Sequence, residues 1–204
     1  MKKQINRRRI LLFAPLFLIT FKFGFASEIK IPSQKIGSDK AKIVVKEFFS
    51  LTCGHCADFH IKTFPSIKRE MIDEGLIQFE FVDYPLDRVA MYAAALARSL
   101  PKESYIEAIN ILLKNQKKWA FSSKPMIELL SIAKIFGISK NSFDKIIKNY
   151  DLMQKILNKM ENENKKHDIQ STPTFIINDK YKISGSLSYI DFKKKIEEFN
   201  LSNN

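Results

Sequence analysis

The chain has 204 residues, of which 45% are apolar and 27% charged, and two cysteines. That length supports one domain with a substantial core, or a small domain carrying an insertion, and two cysteines are too few for a disulfide-stapled scaffold. The formal charge of +12 invites a nucleic-acid reading, but six of those charges lie in the first 26 residues. The rest are spread over helical stretches such as Lys193-Lys194-Lys195 without exposed aromatics between them, which is the pattern of a solvated face.

The chain opens with Lys2, Lys3, Arg7, Arg8 and Arg9 and no acid, followed by the apolar run Ile10 to Phe21 and the small residues of Gly24-Phe25-Ala26. A charged start, a short apolar centre and a small-residue exit predict a secretory signal peptide over residues 1–26, cleaved before Ser27. The alternative is an uncleaved membrane anchor, but the run is short for a bilayer and Lys22 interrupts it. Asn6-Arg7-Arg8-Arg9-Ile10-Leu11 carries a faint twin-arginine pattern, though so apolar a centre fits the general export route better. Without residues 1–26 the charge falls to about +6.

Ile43-Val44-Val45-Lys46-Glu47-Phe48-Phe49 predicts a buried strand. After Ser50-Leu51-Thr52, Cys53 opens a helix carrying Phe59, Phe64, Ile67 and Met71 up to a stop at Gly75. Ile77, Phe79 and Phe81 then alternate with Gln78 and Glu80, a strand pattern, so the segment is a βαβ unit with a parallel pair. From Arg88 to about Lys166 the periodicity is helical: Tyr105, Ala108, Ile109, Leu112 and Leu113 repeat at helix spacing, as do Phe143, Ile146, Ile147, Tyr150, Leu157 and Met160. Ser123 and Pro125 mark one helix start there and Gly137 its end. Strand signals return in Thr174-Phe175-Ile176-Ile177 and Tyr181-Lys182-Ile183, joined by the turn Asn178-Asp179-Lys180 and therefore antiparallel. Gly185 ends the hairpin, and a last helix carries Tyr189, Phe192, Ile196 and Phe199. The order βαβ, helical block, ββα builds an α/β fold with a mixed sheet.

Cys53-Gly54-His55-Cys56 carries the chemistry. Two cysteines three apart at a helix start share a face within disulfide reach. Cys53 sits where free backbone N–H groups and the helix dipole favour its thiolate, the nucleophilic form, and a protonated His55 adds positive charge nearby. Cys56, one turn deeper, is placed to resolve a mixed disulfide formed at Cys53. As a structural staple the pair closes almost no loop. As a zinc site it lacks further ligands, since His55, His60 and His167 form no ligand spacing, and as a haem site it has Ala57 where a histidine must stand. Redox exchange is the reading that remains. Glu47 can either face solvent at a strand end or face inward, where burial would raise its pKa and let it move protons for Cys56. Thr172-Pro173 precedes a strand, where proline is tolerated, and a trans bond is the ordinary geometry. His60 and His167 read as surface residues, and Trp119 with Phe121 as core of the helical block.

Glu47-Phe48-Phe49-Ser50 leading into Cys53-Gly54-His55-Cys56 resembles the active-site segment of DsbA-like thiol–disulfide oxidoreductases. Asp83-Tyr84-Pro85-Leu86 and Ile169-Gln170-Ser171-Thr172-Pro173-Thr174-Phe175 match the same family in the same order. The resemblance implies a thioredoxin-like fold (βαβ…ββα, mixed sheet) with a helical insertion domain, split as residues 27–87, 88–166 and 167–204. It implies Cys53 as attacking cysteine, Cys56 as resolving cysteine, Glu47 as buried acid, and Thr172-Pro173 as a cis-proline loop facing Cys53. Gly54 departs from the proline usual in the family, and Cys-Gly-His-Cys is similar to protein disulfide isomerase sites. The implied protein is a periplasmic oxidase of reduced exported proteins, needing no cofactor or metal beyond its cysteine pair and reoxidised by a quinone-linked membrane partner. An isomerase or reductase of the same fold is the alternative within the class. A non-catalytic binding or holdase protein with an inert disulfide is the alternative outside it.

Overall fold

The computed structural model describes residues 31–202; the expected signal peptide lies outside them. The sheet has five strands in the order β1-β3-β2-β4-β5. They are β1 (Gln34–Ile36), β2 (Ile43–Phe49), β3 (Ile77–Asp83), β4 (Thr174–Ile177) and β5 (Tyr181–Ser184). β2 and β3 pair in parallel, with Val45 opposite Phe79 and Glu47 opposite Phe81, while β1 joins β3, β4 joins β2 and β5 joins β4 antiparallel. The parallel pair is buried on both faces, as its nearly unbroken apolar run requires. The hairpin of β4 and β5 turns through Asn178 and Asp179, both in the left-handed region that primed turns need and that these two side chains tolerate. β1, three residues at the edge, has no strand signal of its own and is held by register on Phe79 to Phe81. Gly37 follows it at φ +95°, where a Cβ would stand 2.7 Å from the Ile77 carbonyl oxygen.

The expected single helix after Cys53 is broken into α1 (Gly54–Lys62), α2 (Phe64–Ile67) and a π-helical turn, Lys68–Ile72. Pro65 in the first turn of α2 has no N–H to extend α1, which is the physical reason for the break. Gly75, at φ +72°, ends the segment as its position promised. The helical block folds as α3 (Arg88–Arg98), α4 (Lys102–Lys114), α5 (Gln116–Trp119), α6 (Pro125–Ile135), α7 (Lys140–Ile146) and α8 (Tyr150–His167), and the chain ends on α9 (Tyr189–Ser202).

Strand alternation sorts the sheet into two faces. Val45, Phe49, Phe79 and Phe81 enter one large core with Phe59, Leu112, Trp119 and Phe192, so the helical block and the two sheet-bearing segments share a single core. On the opposite face Phe48, Val82, Ile169 and Ile176 form a small second cluster, and α8 packs over β3 on that side. Gln78 and Glu80, the polar residues that alternate with the apolar ones of β3, are each only 5% exposed. Lys159 of α8 reaches Glu80 at 3.0 Å, and Lys46 meets Glu163 at 3.1 Å and Asp179 at 2.7 Å, so the cover is a layer of ion pairs. His167 is part of that layer and not a surface residue: its side chain is 5% exposed, and burial and then the Lys46 charge push its pKa down. Trp119 is buried as expected and donates to the Leu112 carbonyl at 2.7 Å, whereas Phe121 is 68% exposed because the chain turns out of α5 before reaching it.

Candidate functional site

The two cysteines sit where β2 hands the chain to α1. The Cys53 N–H donates to the Ser50 carbonyl at 3.1 Å, closing a turn that lifts Cys53 to the head of the helix. Its extended backbone makes it the N-cap, and its sulfur accepts from the Cys56 N–H at 3.3 Å. An N-cap side chain normally satisfies one of the helix's orphan donors with oxygen; here sulfur takes that place, so thiolate charge collects on the N-terminus of α1. Both cysteines are free thiols; Cys53 is 9% exposed and Cys56 wholly buried.

The electrostatics separate the pair. Hydrogen bonding with the Cys56 thiol, then with the Thr172 side chain and the Cys56 and His55 backbone, lowers Cys53 from 9.0 to about 5 against the opposing effect of burial. Cys56 moves the other way: burial, hydrogen bonding to Cys53 and the charge of Glu47 hold its proton far above the ordinary thiol range. At neutral pH the pair is one thiolate and one thiol, which is a nucleophile with a protonated partner behind it.

Three groups frame Cys53. The Cys53 thiol sulfur lies 3.2 Å from the Thr172 carbonyl oxygen, and the Thr172–Pro173 peptide bond is cis. The Pro173 carbonyl accepts from the Gly185 N–H at 2.8 Å, which ties this loop to the end of the β4–β5 hairpin. The Thr172 hydroxyl is buried beside the sulfur. On the other side Gln116 of α5 donates its side-chain amide to the carbonyls of Leu51 and Cys53 at 2.8 and 2.9 Å. That buried amide pins the turn from which Cys53 projects, and nothing in Asn115-Gln116-Lys117-Lys118 marked it. Below, the Thr52 hydroxyl donates to Asp87 at 2.7 Å, and Asp87 in turn caps α3 through the Ala90 N–H at 2.8 Å. Gly54 stands at the first position of α1 with no other atom within 4 Å of where a Cβ would lie, and His55 is exposed.

Glu47 faces inward with Val45 and Phe49 and is completely buried. Its carboxylate oxygens lie 2.9 and 3.1 Å from His60 Nε2. His60 is therefore no surface residue: its side chain is 1% exposed, packed among the rings of Phe49, Phe59, Phe64 and Phe81. One turn of α1 beyond Cys56, it faces the sheet because positions four apart share a helix face. Beside them Asp83, Arg98 and Tyr105 form a second buried group, with Arg98 Nε 2.6 Å from Asp83 and the Tyr105 hydroxyl donating to Asp83 at 3.2 Å. Among the described residues no group of three or more His, Cys, Asp or Glu side chains could hold a metal ion, and no helix is long and apolar enough to cross a membrane.

A sequence profile of the thioredoxin family matches residues 30–198. A relative of Rickettsia typhi that carries the provisional name protein-disulfide oxidoreductase is 31% identical over 144 residues, which are 70% of this chain and 53% of that protein. The chain thus spans about half the length of the Rickettsia relatives it matches in this way. Disulfide bond formation protein D of Bacillus subtilis is 29% identical over 174 residues, covering 80% of this chain and 75% of the relative. Among solved structures, Wolbachia pipientis alpha-DsbA1 superposes with a TM-score of 0.74 at 29% identity, over 81% of this chain and 89% of that one.

Proposed function

The chain belongs to the thioredoxin family, and from that premise we propose that it is a thiol–disulfide oxidoreductase that forms disulfides in exported proteins. The observation that carries this is the divided pair: a Cys53 thiolate at a helix head, 3.2 Å from the Thr172 carbonyl, in front of a buried, protonated Cys56. In the oxidised enzyme a substrate thiolate attacks Cys53, the Cys53–Cys56 bond breaks, and Cys56 leaves and is protonated. A second substrate thiolate then attacks the substrate sulfur of the mixed disulfide and expels the Cys53 thiolate, so the substrate loses two electrons and the enzyme gains them.

Direction follows from linkage. Whatever stabilises the Cys53 thiolate stabilises the reduced enzyme and makes its disulfide a stronger oxidant. Thr172 and Pro173 hold the substrate chain in extended register beside Cys53, while Gly54 and His55 tune the thiolate. Glu47 serves Cys56 as proton acceptor and donor. The setting is the periplasm, reached through the signal peptide; the substrates are reduced exported proteins, and a quinone-linked membrane oxidase restores the disulfide. The cysteine pair itself carries the electrons.

The test is equilibration with glutathione buffers, followed by assay on a reduced, unfolded substrate. A potential well above that of thioredoxin, with net disulfide formation, is the expected result. Repair of scrambled disulfides without net oxidation would make the protein an isomerase, and a disulfide that does not exchange with glutathione would sink the enzymatic reading.

A further inference from the structure

Cys56 must lose a proton when it closes the disulfide and regain one when it is released, yet Cys56 and Glu47 are both completely buried. The carboxylate can hold that proton but has no solvent to exchange it with. His60 is the next group outward. Nε2 lies against both oxygens of Glu47, while Nδ1 is buried without a hydrogen-bond partner. His60 also lines a surface cavity of about 320 Å³, shared with Ile61, Phe64, Pro65, Lys68, Asn110 and Lys114. A ring committed to an acid through one nitrogen and uncommitted at the other can take a proton on one side and release one on the other.

We propose that His60 is the proton conduit of this site, exchanging the proton of Cys56, held through Glu47, with solvent at the cavity between α1 and α4. This rests on the disulfide-exchange reading above. His60 acts through Glu47 and is a positioning and relay residue, not one that touches substrate. The ionisable groups around the pair are Cys56 on α1, Glu47 on β2, Lys68 on the π-helical turn, and Lys114 and Tyr105 on α4, with Asp83 and Arg98 behind Tyr105. Lys68 and Lys114, both exposed, line the cavity at its open side.

Glutathione disulfide separates the steps on the reduced protein. Cys53 thiolate attacks it, a Cys53–glutathione bond forms, and one glutathione leaves as thiolate. The Cys56 thiol then gives its proton to Glu47, its sulfur attacks Cys53, the Cys53–Cys56 bond forms and the second glutathione leaves as thiolate. The dithiol has lost two electrons and glutathione disulfide has gained them. With His60 as the Nδ1–H tautomer, the proton moves from Glu47 to the free lone pair of Nε2, and Nδ1 releases its own proton to solvent. Only the closing step uses His60.

Acid quench and mass spectrometry follow the glutathionylated intermediate in wild type, His60→Gln, His60→Ala and Asn110→Trp. Gln keeps a hydrogen-bonding group toward Glu47 but does not titrate, and Trp at the exposed position 110 plugs the cavity with His60 in place. The intermediate should form at the wild-type rate and accumulate, with closing slowed about 100-fold in the histidine variants, the low end for a positioned proton-transfer group. Asn110→Trp should slow closing in the same direction, and added imidazole should restore it in His60→Ala, which a purely structural role would not allow. Wild-type closing in His60→Gln, equal slowing of the first step, or no rescue overturns the proposal. Should the histidine variants not fold, Asn110→Trp decides alone: slowed closing supports the conduit and a wild-type rate overturns it. Failure of the wild-type protein to form the intermediate at all would sink the disulfide-exchange reading instead.

Discussion

Replacing Cys56 with alanine removes the largest single cause of the low Cys53 pKa. A hydrogen bond to a charged group contributes about 1.5–3 kcal/mol, which is about one to two pK units. Cys53, held at about 5 in the native pair, should then titrate at about 6 to 7, because the helix N-terminus, the Thr172 side chain and two backbone N–H groups remain. Cys56→Ser keeps a donor and should fall between. The assay is the rate of alkylation by iodoacetamide against pH, with thiolate absorbance as a second readout. At about pH 5.5 Cys56→Ala should react roughly tenfold more slowly than Cys53 in the wild type, and near pH 8 the two should converge, since both are ionised there. Unchanged titration in Cys56→Ala, or a wild-type Cys53 that titrates like an ordinary thiol, would refute the division of the pair.

Three further outcomes are expected. Cys53 is depressed from 9.0 to about 5 in the folded protein, so between those values the unfolded chain binds the extra proton and the reduced fold gains stability as pH rises, losing it as pH falls through about 5. The oxidised protein lacks this effect, so the reduced-minus-oxidised difference in urea midpoint should climb across that window; a flat or falling difference contradicts it. Glu47→Leu strands His60 in the core and should cost about 3 kcal/mol, whereas Glu47→Leu with His60→Leu should recover most of it, because the partners rather than the fold require each other; additive losses in denaturant unfolding would say otherwise. Gly54→Pro should raise stability by roughly 0.5–1 kcal/mol, since proline suits the first helical position and there is room for it, and a lower melting temperature would show that this linker needs its freedom.

Much of the architecture was legible in local pattern. The run Ile43 to Phe49, the alternation from Ile77, the hairpin about Asn178 and the helical spacing from Arg88 onward depend on side chains only a few residues apart, and the structure has strands or helices at each. The cysteine pair was legible for the same reason, since three residues at a helix start settle which groups the sulfurs meet. β1 was not legible: three residues with no alternation become a strand only because the edge of β3 offers them partners. Nor was the helix break after Lys62 read correctly, although Pro65 was there to see.

What tertiary structure alone decided is where the polar groups point. Val45, Glu47 and Phe49 share one face of β2, and Lys46 and Phe48 the other, but both faces carry apolar residues, so alternation could not say which one was deep. The answer came from cover: α1, α3 and α4 bury one face, and α8, about a hundred residues further along the chain than β2, buries the other. The same cover buries His60 against Glu47, places Lys159 over Glu80, sets Gln116 against the carbonyls of Leu51 and Cys53, and brings Thr172 to Cys53 from 119 residues away. A local window carries the propensity of each residue to form an element. It does not carry the desolvation and partners that the packed elements impose, and those separate the thiolate of Cys53 from the thiol of Cys56.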